Sequence, residues 1–169
     1  MKHIHPVSYK EALHADIIIH TLWFKDLIPW AIENREGLAS KILVDIANPF
    51  TEDLSDFTLD WGKSAAEELQ NLLPDTKIVG AFKNTFYQVL EKPIYDGQKS
   101  DIYVTSDDES AKNIVMTLLR DLPFRVLDGG RLMNNRTIER MTLFEREIAL
   151  RFGSYPYVSN RIFGIRGGN

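Results

Sequence analysis

The sequence contains no cysteine. Disulfides, thiolate nucleophiles and cysteine-ligated metals are therefore excluded, which fits a reducing compartment. It has no apolar run approaching the ~20 residues that span a bilayer. Its opening, Met1-Lys2-His3-Ile4-His5-Pro6, lacks the apolar stretch of a signal peptide. A cytoplasmic protein without membrane association is the expectation. There is no excess of positive charge either. The 24 acidic and 20 basic residues leave a formal net charge of -4, so nucleic acid, which favours a basic face, is not an expected partner. No two of the 10 glycines are separated by a single residue. The G-x-G-x-x-G turn, whose backbone closes on a pyrophosphate, is thus absent in every register.

What is present is ordinary globular composition. The chain has 169 residues, 44% hydrophobic and 26% charged, enough for one domain with a real core. Three segments read S-x-x-E: Ser8 to Glu11, Ser64 to Glu67 and Ser106 to Glu109. Each has the capping-box form that opens a helix. The first helix is brief and ends near Ala15. The second carries Leu69, Leu72 and Leu73 and stops at Pro74. The third carries Ala111, Ile114, Val115 and Leu118 and stops before Pro123. A longer helix is expected over residues 134–152, ended by Gly153. Between the helices, the runs 17–23, 42–47, 77–82, 101–105 and 124–127 read as buried strands. Strands apolar on both faces, alternating with helices, predict an α/β fold with a parallel sheet and right-handed crossovers. No linker divides the chain, so residues 1–169 are expected to form a single domain, with the tail 154–169 packed and fraying at its last few residues.

In such sheets ligands bind beyond the carboxyl ends of the strands. That rule selects Thr21, Leu22, Trp23 and Phe24; Asn48, Pro49 and Phe50; and Lys83, Asn84, Thr85 and Phe86. Small polar groups beside aromatics suit a flat ring with hydrogen-bonding edges. The same residues also serve as turn formers and core, so chemistry alone leaves both readings standing. Other constellations are weaker. His3 and His5 alternate on one stretch, but with His14 and His20 they match no recognised ligand spacing. Glu52, Asp53, Asp56 and Asp60 do not have the spacing of a calcium loop, and a solvated loop is the simpler account. Arg136 and Glu139 are three apart and read as a surface pair. Arg161 and Arg166 are more simply solubilising than phosphate-binding.

The order ADIIIHTLW (15–23), ILVDIANP (42–49), SAAEEL (64–69), IVGAFKNT (78–85), DDESAKNIVMTLL (107–119) and LDGGRLMNNRTIE (127–139) resembles one family closely. It is similar to the deazaflavin-coenzyme-dependent NADP reductases, with the metalloreductase domains of the STEAP proteins as more distant relatives. The resemblance covers residues 7–164. It implies a Rossmann-like, doubly wound parallel sheet and hydride transfer between NADP(H) and a deazaflavin or flavin acceptor. By that resemblance Thr21, Leu22, Trp23, Ala47, Asn48 and Pro49 lie along the nucleotide. Ala81, Phe82, Asn84 and Thr85 lie near the nicotinamide and the second ring. The segment 132–136, with Leu132, Asn135 and Arg136, helps close the acceptor pocket. Two stacked rings need orientation more than an acid or base, so no catalytic residue or metal is nominated.

The family begins with a strand, the Gly-rich turn and a helix, and its second strand reads the ribose 2′-phosphate. Set against that pattern, the chain reads as N-terminally truncated, with the first two strands missing and residues 3–7 a remnant of a third. It would be the C-terminal two-thirds of the family domain. Arg131 stands where the family has proline. Four expectations follow. NADPH binding is weak or absent. If it is strong, Lys83, Arg131 or Arg136 has rebuilt the phosphate site. The 17–19 strand becomes an apolar sheet edge through which the chain forms a homodimer. The alternative to a reductase is a non-catalytic relative, acting as a binding or oligomerisation module.

Overall fold

The β-branched runs form strands, as their composition requires. In a computed structural model, which describes residues 4–165, five strands make one sheet. Its order is β1 (Ile17–Ile19), β2 (Ile42–Asp45), β3 (Lys77–Gly80), β6 (Asp101–Thr105) and β7 (Arg125–Gly130). A separate hairpin of β4 (Ile94–Tyr95) and β5 (Gln98–Lys99) precedes β6. Side chains alternate across the sheet. On one face Ile42, Val44, Val79, Ile102, Val104 and Val126 meet Ala111, Val115 and Leu119 of α6 (Glu109–Leu119). On the other, Leu43 and Ile78 meet α2 (Phe24–Glu33), α3 (Arg35–Leu38) and α4 (Ala65–Leu72) through Leu27, Ala31, Leu38, Ala66 and Leu69. Helix α7 (Asn135–Arg151) covers Tyr103 and Leu127 with Ile138. Both faces are covered, as a doubly wound fold requires, and each fully buried leucine contributes roughly 1.5–3 kcal/mol.

Several expectations change in detail. The first two serines cap their helices: the Ser8 hydroxyl accepts from the Glu11 amide at 3.3 Å, opening the short α1 (Tyr9–Ala12), and the Ser64 hydroxyl accepts from the Glu67 amide at 3.2 Å. The third does not. Ser106 is buried and donates to the Ile78 carbonyl at 2.6 Å, so the cap passes to Asp108, which accepts from the Ala111 amide at 2.8 Å. The run 17–23 is strand only to Ile19, because His20 turns inward and Trp23 begins α2. Helix α2 itself was hidden by Pro29 in its interior, which usually argues against a helix. The last strand is displaced to Arg125–Gly130 from the expected 124–127. Residues 4–7 form no strand and are exposed. The expected fraying of the final residues falls outside the described segment.

The sheet is also not parallel throughout. Strands β1, β2 and β3 run parallel, as do β6 and β7, but β3 and β6 are antiparallel and share one residue pair, Gly80 with Thr105. The connection holds only the short α5 (Tyr87–Glu91) and the β4–β5 hairpin, so no full-length helical crossover returns the chain to the same direction. Gly80 is needed at this junction. A Cβ there would lie 2.6 Å from both the Asn135 amide nitrogen and the Thr105 hydroxyl. The bare backbone leaves room for their 2.8 Å hydrogen bond.

The tail is anchored through its half-buried stretch 156–161, while residues 162–165 stay exposed, Phe163 at 78%. The Asp101 carboxylate accepts both Arg125 nitrogens at 2.7 Å and the Ile162 amide at 2.8 Å. Tyr157 stacks on Tyr95 with centroids 4.4 Å apart. Asn160 joins the Tyr103 hydroxyl at 2.8 Å to the Glu145 carboxylate at 2.7 Å. Burial pushes Glu145 up to about 7, against the pull of Asn160. Its folded state therefore binds a proton that the unfolded state has released between about pH 4.5 and 7, so this residue's contribution to stability falls as pH rises through that window. Glu145→Gln is expected to match the native protein near pH 4.5 and to exceed it by about 2 kcal/mol near pH 8 in urea denaturation. Equal stabilities at the higher pH would show that the carboxyl ionises at no cost.

Candidate functional site

The carboxyl ends of β1, β2 and β3 meet over a buried charged cluster. Asp45 closes β2 on the same face as Leu43 and is fully buried. Its carboxylate accepts from His20 Nε2 at 2.9 Å, from the Ala47 amide at 2.9 Å and from Lys83 Nζ at 2.5 Å. Lys83 also donates to the Ala47 carbonyl and lies 3.1 Å from Glu139 of α7. Glu139 in turn accepts the Ala65 amide at 2.9 Å at the start of α4, where the helix dipole favours a negative charge. Burial alone raises Asp45, but the Lys83 charge and the His20 hydrogen bond outweigh it and hold the carboxyl down at about 2. Burial opposes the charge on Lys83 as well, and its two carboxylate neighbours overcome it. Burial raises Glu139, while Lys83 and the Ala65 amide pull the other way. Just before Lys83, Phe82 takes a left-handed backbone conformation (φ 56°), costing a non-glycine residue about 1–2 kcal/mol. Its ring packs edge-on against Phe124.

Above the ends of β1 and β2 opens a cavity of about 500 Å³ lined by Trp23, Phe24, Lys25, Asn48, Phe50, Thr51, Glu52, Leu54 and Thr58. The start of α2 borders it, and no side chain caps that helix, leaving first-turn amides beside Lys25. The outer wall belongs to the loop 51–63. Arg140 of α7 holds this loop, with its guanidinium 4.2 Å from the Trp61 ring and bonded to the Leu59 carbonyl at 2.6 Å. A second cavity, about 610 Å³, lies beside the edge strand β7 and is lined by Tyr103, Leu127, Asp128, Met141 and Ile162 among others.

The nominated residues divide. Trp23 and Asn48 line the strand-end cavity together. The Asn48 amide donates to the Lys83 carbonyl at 2.7 Å, and its carbonyl oxygen has no partner among the described residues. Thr21 is exposed; Leu22 packs into the core. Ala47, Pro49, Ala81 and Asn84 are buried, and Asn84 donates to the Asp101 carbonyl at 2.9 Å. Thr85 is half-buried. Leu132 and Asn135 are buried in the core and at the β3–β6 junction; Arg136 is held by Glu67 at 2.6 Å. None of these three lines either cavity, although Asn134 between them lines the second.

Three further readings are corrected. Lys83, Arg131 and Arg136 do not converge on a phosphate site. Lys83 is sealed inside, Arg131 is exposed beside Asp107 at 3.3 Å, and Arg136 is committed to Glu67. Arg136 and Glu139 are not a surface pair, because Glu139 points inward to Lys83. Arg161 donates to the Lys99 carbonyl at 2.6 Å. His3 and Arg166 lie outside the described residues. Among the described residues no three His, Asp or Glu side chains converge as a metal site would require, and no helix is long and apolar enough to cross a membrane. The buried cluster was missed, yet ILVDIA carried a signal for it. A carboxylate inside an apolar strand needs a buried partner.

No family model matches the chain. The F420-dependent NADP reductase of Methanocaldococcus jannaschii is 33% identical over 138 residues, covering 78% of this chain and 60% of the reductase. Metalloreductase STEAP3 of Rattus norvegicus is 29% identical over 134 residues, covering 79% of this chain and 26% of that protein. The chain thus spans less than two thirds of each curated relative: 60% of one and 26% of the other. Among solved structures, a protein from Arthrobacter sp. FB24 proposed to be an F420-dependent NADP reductase superposes with a TM-score of 0.77 at 24% identity, covering 86% of this chain and 68% of that one. This likeness bears out the Rossmann-like α/β fold. In sequence and in fold, the chain is a relative of the deazaflavin-coenzyme-dependent NADP reductases and, more distantly, of the STEAP metalloreductases.

Proposed function

We propose that the chain is the ring-positioning portion of an NADP(H)-dependent oxidoreductase that passes hydride between a nicotinamide and a deazaflavin or flavin. The observation that carries this reading is the strand-end cavity, where Trp23 and Asn48 come together in a chain 33% identical to an F420-dependent NADP reductase. The residues present fit part of such a cofactor. Trp23 offers a flat, exposed indole; Asn48 offers a carbonyl oxygen with no partner among the described residues; Lys25 and the uncapped start of α2 suit an anionic group. When bound, the nicotinamide supplies the hydride chemistry. The chain's own task is to orient the ring and exclude water, and it needs no acid or base for that. The sequence has no Gly-rich turn, so the proposed affinity is weak.

The test is an NADPH titration followed by tryptophan fluorescence, then anaerobic hydride transfer to the deazaflavin coenzyme and to FMN. Saturable binding weaker than about 10 μM is expected, with Trp23→Ala and Asn48→Ala each weakening it about three- to tenfold. No binding at millimolar NADPH, or binding indifferent to both substitutions, overturns the reading.

One observation favours the alternative of a non-catalytic module. Strand β1 ends the sheet, with Ile19 47% exposed and Trp23 60% exposed beside it. An apolar edge of this kind pairs with other chains, and a second copy is the proposed occupant. A concentration-dependent dimer in sedimentation, without NADPH binding, would support the module; a dimer that also binds NADPH would join the two readings.

A further inference from the structure

The loops that leave β1 and β2 to form the cavity, and the loop after β3 beneath them, are fastened to one buried unit. From β2, the Ala47 amide bonds to Asp45 and the Ala47 carbonyl to Lys83. From the loop after β3, the Lys83 carbonyl accepts from Asn48 at 2.7 Å and from Thr142 of α7 at 2.7 Å. From β1 the link is a histidine. His20 Nε2 lies 2.9 Å from an Asp45 oxygen, and His20 Nδ1 lies 3.4 Å from the Leu22 amide, one residue before Trp23. Both ring nitrogens are therefore engaged, and the two contacts assign the tautomer. Asp45 is ionised and accepts only, so Nε2 carries the proton. Nδ1 is then bare and accepts from Leu22. A proton on Nδ1 would set two donors against each other and break that contact. The charged groups around the imidazole are Asp45 from β2, Lys83 from the loop after β3 and, behind Lys83, Glu139 from α7. On the α2 side the neighbour is the uncharged Trp30 ring at 6.3 Å.

We propose that His20 is a positioning residue whose neutral Nε2–H tautomer holds the Leu22 backbone, and through it the adjoining Trp23 wall of the cavity, in place. It touches no ligand and acts through the Leu22 backbone. The consequence for nucleotide affinity rests on the proposed function; the tautomer and the wall do not.

Imidazole and amide ¹⁵N NMR on the ligand-free chain tests the structural half. The expected result is a protonated Nε2 and bare Nδ1 in the neutral ring, with the Leu22 amide and Trp23 indole signals moving together when acid adds the second ring proton. A protonated Nδ1 in the neutral ring, or a Leu22 amide that ignores the protonation of His20, overturns the proposal. The binding half uses NADPH and, in parallel, NADH, which lacks the titrating 2′-phosphate. His20→Gln keeps a donor for Asp45 and an acceptor for Leu22 but cannot titrate. It is expected to retain the native affinity at neutral pH and to show none of the acid weakening that protonation of Nδ1 would cause in the native chain. His20→Leu, which keeps neither bond, is expected to bind about five- to tenfold more weakly at every pH. Native and Gln chains sharing one acid profile overturn the proposal. If neither nucleotide binds, the proposed function fails, and the NMR result alone decides the role of His20.

Discussion

Replacing Lys83 with methionine is expected to destabilise the protein by about 3–5 kcal/mol at neutral pH, because it strips the cation from two buried carboxylates. Asp45 and Glu139 would keep their hydrogen bonds to His20, Ala47 and Ala65 but lose the charge that lies 2.5 Å from one and 3.1 Å from the other. The pH dependence identifies the mechanism. In the native protein Asp45 is held at about 2, below its ordinary value of 3.8. Its stabilising contribution is complete above the ordinary value and disappears as pH falls through the folded one. In the variant, burial pushes both carboxyls upward, so the folded state retains protons that the unfolded state releases. Variant stability should therefore fall as pH rises from about 4 to 8, and its deficit against the native chain should be largest at the alkaline end. Urea midpoints at both ends of that range measure it. The Lys83→Met, Asp45→Asn double variant should be less damaged than the sum of its parts. A small loss independent of pH would mean that the cluster is hydrated, not sealed.

The second large effect is expected at Asp101. It is fully buried and binds Arg125 through two 2.7 Å bonds while also accepting the Ile162 amide. Asp101→Asn keeps the shape but removes the charge, leaving the buried guanidinium of Arg125 without its counter-ion. The expected cost is about 2–4 kcal/mol. The loss should appear first in the tail. Arg161 is held by the Lys99 carbonyl, and Asn160 accepts the Asp101 amide at 3.2 Å through its own carbonyl. Tryptic cleavage after Arg161 should therefore accelerate under conditions where the core remains folded. Unchanged cleavage with a loss below about 1 kcal/mol would show that the stacking of Tyr157 on Tyr95 holds the tail without Asp101.

These two nodes also mark where the sequence stopped being readable. The strand cores were legible because Ile42 to Val44 and Ile78 to Val79 are apolar on both faces, which only a covered sheet tolerates. The caps at Ser8 and Ser64 were legible because the bonding groups are three residues apart. Ser106 has the same local signature, but a carbonyl 28 residues away claims its hydroxyl. Helix α2 was obscured by Pro29, whose local cost is outweighed by the burial of Leu27 and Ala31. At the strand ends, chain direction alone brings Trp23 and Asn48 to one cavity, which the strand-end rule can anticipate. That rule could not distinguish Lys83, sealed inside, from the solvent-facing lysine that its polar neighbours imply. Nor could it see that Asn135 reaches Thr105 and Arg136 reaches Glu67, since those partners lie 30 and 69 residues away.

The single Gly80–Thr105 pair makes the sheet two parallel rafts moored at one point. Along this seam, side chains carry what a backbone ladder usually carries. The Ser106 hydroxyl bonds the Ile78 carbonyl, Asn84 bonds the Asp101 carbonyl, and Asn135 lies over the joint. A ladder can be weakened only by disturbing a strand, whereas a seam stitched by hydroxyls and amides can be loosened one stitch at a time. Each raft can therefore adjust its own outer edge, the strand-end cavity on one side and the cavity beside β7 on the other, without forcing a new register on its neighbour.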